Sequence, residues 1–250
     1  MSHHIVAAEH LCFAYANSSR GIQDISFRIT HGESVAVVGA NGAGKSTLLQ
    51  HLNGFLEPAS GTVRIGDYPI TRGNLDAVRR SVGMVFQDPD DQLFMPTVFD
   101  DVVFGPLNLG MAETEAAQRA MDALERVGAA HLRDRPPYRL SGGEKRSVAI
   151  ATVLAMDPDI LVMDEPSSNL DPMARQRLIT LLRSFDHTKI IATHDLDLAL
   201  DLCERTIVLH DGRLTADGPT GEIFQNDALL AGSGLARPLK MQGCPVCGRK

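Results

Sequence analysis

Apolar and polar positions change rhythm several times along this chain. Ile5-Val6, Leu11, Phe13 and Tyr15 are spaced for a half-buried strand, and Ile22 to Ile29 alternates, with Ile25, Phe27 and Ile29 on one face. The turn formers from Ala16 to Gly21 lie between them, so the opening predicts an antiparallel pair. Unbroken apolar runs follow at Val35–Val38, Val82–Phe86, Ile160–Met163, Ile190–Thr193 and Ile207–Leu209. Runs without alternation are the mark of parallel strands covered on both faces, and here they alternate with helical stretches, the first beginning at Gly44. Between Gln87 and Leu140 the rhythm becomes helical. Helices are expected from Val98 to Leu109 and from Glu113 to Val127, the second with Ala117, Ala120, Met121, Leu124 and Val127 on one face. Arg135-Pro-Pro-Tyr138 ends that stretch. A short helix is expected around Thr220–Phe224, and from Asn226 on the patterning is weak. The expected organisation is one domain over 1–225, with a helical subdomain inserted at about 88–140, and a tail over 226–250.

The chemistry begins at Gly39-Ala40-Asn41-Gly42-Ala43-Gly44-Lys45-Ser46-Thr47. This is G-x-x-x-x-G-K-[ST] between an apolar strand and the helical run Leu48-Leu49-Gln50-His51-Leu52, the setting a phosphate-binding loop requires. Glycines let successive backbone N–H groups turn inward around phosphate oxygens, and the following helix directs its positive end at the same anion. Lys45 adds a point charge for the β- and γ-phosphates, and the Ser46 hydroxyl is placed for Mg²⁺. The loop alone leaves kinase, GTPase and ATPase open.

Five further motifs follow in order. They are Gln87 after Val82–Phe86, Leu140-Ser141-Gly142-Gly143-Glu144-Lys145 before a helical run, and Asp164-Glu165-Pro166 ending an apolar strand. The last two are the turn Ser168-Asn169-Leu170-Asp171 and His194 after Ile190–Thr193. With these the chain, from about Ile5 to about Phe224, closely resembles the ATP-binding cassette family. The resemblance implies an α/β fold: a P-loop ATPase core with a mixed sheet, an N-terminal antiparallel β subdomain and an inserted helical subdomain. It implies ATP and Mg²⁺ as the bound groups. It gives Asp164 to the metal, Glu165 to the attacking water as general base, and Gln87 to the metal or that water. His194 is implied as the γ-phosphate sensor and Tyr15 as the adenine-stacking ring, beside the reading of Tyr15 as a strand-end core residue. Ser141-Gly142-Gly143 is implied to bind the γ-phosphate of nucleotide held by an opposite subunit, with Asp171 coupling the two sites. One P-loop and one signature per chain then imply two cassettes head to tail, with homodimer and heterodimer both open.

Composition narrows the partners. A formal charge of −7 argues against a dominant nucleic-acid-binding role, which needs a basic stripe. No apolar run approaches the ~20 residues that span a bilayer, and the start of the chain has no secretory pattern. The expectation is a peripheral protein on the cytoplasmic face of the membrane, held there by partner subunits. Cys12 and Cys203 are isolated and expected to act as small hydrophobes. Cys244 and Cys247 form Cys-x-x-Cys, half of a four-cysteine zinc ribbon; a tail with two thiols and a metal site completed by a second subunit or a partner both stay open.

The words from Gln87 to Met95 and on to Gly110, Leu140 to Arg146, and Asp164 to Pro172 look like those of cobalt and nickel importers of the energy-coupling factor class. Phe94, Met95, Phe99 and Phe104 are expected to form an exposed docking groove for integral membrane subunits, against the alternative that they pack the subdomain's own core. A vitamin importer's ATPase is the nearest alternative function, and a soluble cassette acting on nucleic acid or ribosomes the next. A P-loop kinase leaves the Ser141-Gly142-Gly143 signature without a task.

Overall fold

The computed structural model describes residues 6–16, 21–168 and 170–242. The chain divides into two compact units, one made of residues up to 78 and from 187 onward, the other of Arg79–Asp186.

In the first unit β1 (Val6–Ala14) and β2 (Gly21–Ile29) pair antiparallel, Val6 opposite Ile29 and Phe13 opposite Ile22. Ile25, Phe27 and Ile29 are buried, as the alternation predicts, and Ile22 is buried as well, beyond a register shift in the pairing. β3 (Ser34–Val38) carries the first fully apolar run and leads into helix α1 (Lys45–Leu52). β4 (Ser60–Ile65) adds antiparallel to β1, and β5 (Tyr68–Pro69) to β4, completing a four-stranded antiparallel sheet. Helix α2 (Leu75–Ser81) closes this stretch of chain.

The second unit begins its ordered core with β6 (Val82–Val85), buried along its whole length. Helix α3 (Val98–Asn108) starts at Thr97, whose hydroxyl accepts the Asp100 N–H. Helix α4 (Glu113–Arg126) follows. Its buried face is Ala116, Ala120, Ala123 and Leu124, so Ala117, Met121 and Val127 of the predicted stripe flank the buried face rather than centre it. Alanines give little contrast, and the pattern alone left the stripe about one position out of phase. Helix α5 (Gly142–Leu154) is capped by Ser141 and packs against α3, α4 and β6. β7 (Ile160–Asp164) runs parallel to β6, and helix α6 (Pro172–Arg183) starts with Asp171 as cap and Pro172 in its first turn.

The chain then returns to the first unit with β8 (Thr188–Thr193), helix α7 (Leu196–Leu202), β9 (Arg205–His210) and β10 (Arg213–Pro219). β9, β3 and β8 are parallel neighbours and β10 joins β9 antiparallel, which makes this sheet mixed. Helix α8 (Thr220–Gln225) matches expectation. The chain past Asn226 is more regular than its pattern suggested: Asn226 caps helix α9 (Asp227–Gly232), and Leu230 is buried. Asp197 accepts the N–H groups of Leu239 and Lys240, while the Lys240 ammonium pairs with Asp201. Cys203 is buried, which pushes its thiol up to about 12, and Cys12 Sγ accepts the Asp24 N–H. Cys244 and Cys247 lie outside the described residues.

Candidate functional site

The phosphate-loop residues sit where β3 hands the chain to α1. Gly44, the helix cap, has φ of 103°, in the left-handed region that only glycine enters freely. At Gly39 a Cβ would lie 2.4 Å from the Leu209 carbonyl oxygen and 2.9 Å from Ala43 Cβ, so the loop passes too close to β9 for any side chain. The turn between β9 and β10 braces it from the other side: Gly212 donates to the Ala43 carbonyl, and Gln23 donates to that of Gly212. The Lys45 ammonium curls back and donates to the carbonyls of Gly39 (2.9 Å) and Ala40 (3.4 Å). The cation is thereby held over the loop rather than extended into solvent.

An aromatic chain supports the next turn. Tyr15 is 42% exposed, and its hydroxyl is 3.2 Å from the Thr47 hydroxyl. Its ring stands edge-on to Phe13 at 4.9 Å, and Phe13 stands edge-on to His51 at 5.0 Å. His51 is fully buried, with Nδ1 2.7 Å from the Thr47 carbonyl oxygen, so Nδ1–H donates to it. Burial holds the His51 imidazole below its usual pKa. Phe13 and His51 are supports that the sequence did not single out; the i to i+4 spacing of Thr47 and His51 was the available signal.

His194 follows β8 directly. The register pairs Val38 with Thr193, so Gly39 and His194 leave their parallel strands at the same edge. His194 is exposed, and Asp195 behind it caps α7 by accepting the Leu198 N–H.

The second unit gathers the remaining candidates. β6 and β7 pair Val85 with Met163, so Phe86 and Gln87 emerge beside Asp164 and Glu165. Both carboxylates are buried, and Glu165 adopts φ of 48°, an uncommon backbone state for a residue with a side chain. Gln87 is exposed. Arg146, from the second turn of α5, donates to the carbonyls of Phe86 (2.7 Å) and Gln87. Its guanidinium is buried, which lowers its pKa, and Asp88, Asp164 and Glu165 partly offset this.

The signature sits at an open helix start. Ser141 and Gly142 are exposed, and nothing lies within 4 Å of where a Gly142 side chain would begin. Ser141 and Glu144 form a capping box: the Ser141 N–H and hydroxyl both donate to Glu144 Oε2 (2.8 Å each), and Glu144 N–H donates back to Oγ (3.3 Å). These bonds hold the Glu144 carboxyl below the usual range. Asp171 accepts the Ala174 N–H at 2.9 Å, a capping task within the chain that the sequence reading did not foresee.

Of the four apolar candidates for docking, two are on the surface. Phe94 is 66% and Phe104 38% exposed, and their rings meet edge to face at 5.3 Å. Leu107, one turn on, is also exposed. Met95 and Phe99 are half-buried, and Phe99 lies under the Arg133 guanidinium at 5.4 Å. They belong partly to the unit's own packing, which leaves Phe94 and Phe104, of the four expected residues, on the surface beside Leu107. Asp101 fixes this face: its buried carboxyl accepts the N–H groups of Phe94 and Met95, both at 3.0 Å. Burial raises its pKa.

The ABC transporter family model matches residues 22–168, more than half of the chain. A putative ABC transporter ATP-binding protein of Geobacter sulfurreducens is 68% identical, with 100% of each chain covered. The cobalt import ATP-binding protein CbiO of Rhodobacter capsulatus is 47% identical, covering 94% of this chain and 86% of its own. The solved structure of cbiO1 from Clostridium perfringens, part of the ABC transporter complex cbiONQ, superposes with a TM-score of 0.79 at 39% identity, over 92% of this chain and 94% of that one. The chain belongs to the ABC transporter family, as one of its ATP-binding and ATP-hydrolysing subunits.

Proposed function

We propose that this ATPase energises uptake of cobalt or nickel through integral membrane partners, working as a pair of cassettes on the cytoplasmic face. Its likeness to a cobalt import protein supports the cargo class. The observation that carries the coupling is the exposed Phe94–Phe104 pair on a loop clamped by Asp101. Exposed paired rings on a rigid backbone suit a partner helix, whereas a loose loop would lose affinity to ordering. Among the described residues no helix is long and apolar enough to cross a membrane, so any membrane passage of cargo falls to partners.

In this reading the Lys45 ammonium and the N–H groups of the Gly39–Gly44 loop bind the β- and γ-phosphates. Tyr15 offers its ring to the adenine. Ser46, Gln87 and Asp164 are assigned to magnesium; hydroxyl, amide and carboxylate oxygens are the donors that this ion takes. The ion supplies charge neutralisation to the phosphates. Glu165 orients and deprotonates the attacking water, and His194 hydrogen-bonds the γ-phosphate. Ser141, Gly142 and Gly143 meet nucleotide held by the other copy, and Asp171 lies on the turn that links the two reactions.

The test is co-purification with candidate membrane subunits, followed by uptake assays in vesicles. ATP-dependent accumulation of labelled cobalt or nickel supports the reading. Accumulation of a vitamin with no metal uptake, or ATPase stimulation by RNA without membrane subunits, contradicts it.

A further inference from the structure

The loop that carries Gln87 is strapped to the signature helix through both backbone polar groups of Phe86. The Phe86 N–H donates to the side-chain oxygen of Gln92 at 3.2 Å, and the Phe86 carbonyl accepts from Arg146 at 2.7 Å. The second guanidinium nitrogen of Arg146 takes the Gln87 carbonyl. Gln92 is anchored in turn: its amide nitrogen donates to the Ala149 carbonyl (2.8 Å) and to the Thr152 hydroxyl (2.7 Å), both on α5. Lys145, also on α5, pairs with Asp90 in the middle of the loop. Thr152 Oγ1 donates to the Ala149 carbonyl, so every bond in the strap ends on α5 or on the loop. Ser141, Gly142 and Gly143 open the same helix.

We propose that Gln92 and Arg146 are positioning residues that gear the backbone of Gln87 to the signature helix, so that the loop and the Ser141–Gly143 start move as one piece. The inference rests on the roles proposed above for Gln87 and for the signature. Three hydrogen bonds that hold the Phe86 N–H, the Phe86 carbonyl and the Gln87 carbonyl leave the loop little freedom to shift alone. A change of state felt at the Gln87 side chain is then delivered to the helix whose N-terminus meets the opposite copy's nucleotide. Coupling of this kind needs a connected element that both sites bias, and the strap supplies one. Arg suits the task better than Lys, because its planar fork is pre-organised and holds the two successive carbonyls in one fixed geometry.

The experiment is a double-mutant cycle on the full-length protein, with ATP affinity, turnover and melting temperature measured for each variant. Gln92→Leu is expected to lower kcat about tenfold or more, as small misplacements near the chemistry do. ATP affinity should stay within about twofold, because the phosphate loop is intact. The decisive figure is the combination with Gln87→Ala. If Gln92 acts through Gln87, the double variant is no slower than Gln87→Ala alone. Arg146→Lys, which keeps the charge but loses the rigid planar fork, should fall between wild type and Arg146→Ala. Gln92→Glu has the same shape without a donor, and it carries the test if the leucine variant melts early. Losses that multiply in the double variant overturn the gearing while leaving the Gln87 assignment standing. A Gln87→Ala protein with wild-type kcat overturns the assignment beneath it.

Discussion

The Tyr15 hydroxyl sits 3.2 Å from that of Thr47, on the first turn of the helix that follows the phosphate loop. Phe13 stands edge-on behind the ring and is itself backed by His51. A half-exposed tyrosine held this firmly presents a fixed face, and a fixed face is what stacking on a flat base requires. Tyr15→Ala is expected to weaken ATP binding about tenfold, within the ~1–3 kcal/mol that base–aromatic stacking contributes. Tyr15→Phe keeps the ring and should stay within about threefold of wild type, losing only the tie to Thr47. Isothermal calorimetry with ATP checks both; equal affinity for all three proteins would remove Tyr15 from the site.

His51 gives the fold an acid sensitivity. Its imidazole is buried and its pKa is lowered in the folded protein, so the unfolded chain binds the proton first as pH falls. The contribution to stability is complete above the ordinary value of 6.5 and is lost as pH falls below it toward the folded value. Urea unfolding midpoints should therefore drop between pH 7 and pH 5, and the drop should shrink in His51→Gln. The same slope in both proteins would assign the acid sensitivity elsewhere.

Phe94→Ala separates docking from folding. The ring is 66% exposed, so its loss should leave the melting temperature of the isolated cassette within about 2 °C. Truncating an aromatic anchor in an interface costs about 2 kcal/mol, which loosens a complex more than tenfold. Pull-down of the membrane subunits should fail while ATP binding persists. Asp101→Ala should produce the same uncoupling with a lower melting temperature, since two backbone N–H groups lose their acceptor. Intact membrane-subunit binding by Phe94→Ala would discard this face as the dock.

What could be read from the sequence and what could not divide along one physical line. The phosphate loop was legible because its demands are local: Gly44 needs a left-handed backbone and Gly39 needs a bare one. Parallel strands such as β3, β7 and β8 declared themselves as short runs buried on both faces. β4 did not, because only Val63 and Ile65 of its six residues are buried. Gln92 and Arg146 were hidden for another reason. Apart from the Phe86 N–H, 6 residues before Gln92, their partners lie 57 to 60 residues away in sequence, and a polar side chain carries no mark of the carbonyl it will meet. Asp101 read as one more acid in an acidic stretch, although it is buried and clamps the backbone at Phe94 and Met95.

The signature is predicted to act in trans. Lys45→Ala and Ser141→Arg chains should each be inactive alone, the first through an uncompensated phosphate charge and the second through a blocked helix start. Mixed, they form some pairs with both lesions in one site and none in the other, and part of the ATPase activity should return. A mixed dimer that is confirmed by tagged co-purification yet stays inactive would mean that the two sites must fire together or that the copies are not arranged head to tail.

The most direct test of the account is the sedimentation of Glu165→Gln with ATP and Mg²⁺. Glu165 follows the buried Asp164 at the end of β7, and the substitution removes the proton acceptor while keeping shape and hydrogen-bonding reach. Cleavage should fall at least 100-fold, within the contribution of about 10²–10⁴-fold expected of a general base. Because closure precedes cleavage, the protein should shift from monomer to a stable ATP-bound dimer that ADP does not support. A variant that hydrolyses ATP within a few-fold of wild type, or that remains monomeric at saturating ATP, would contradict both the assignment of Glu165 and the paired-cassette mechanism.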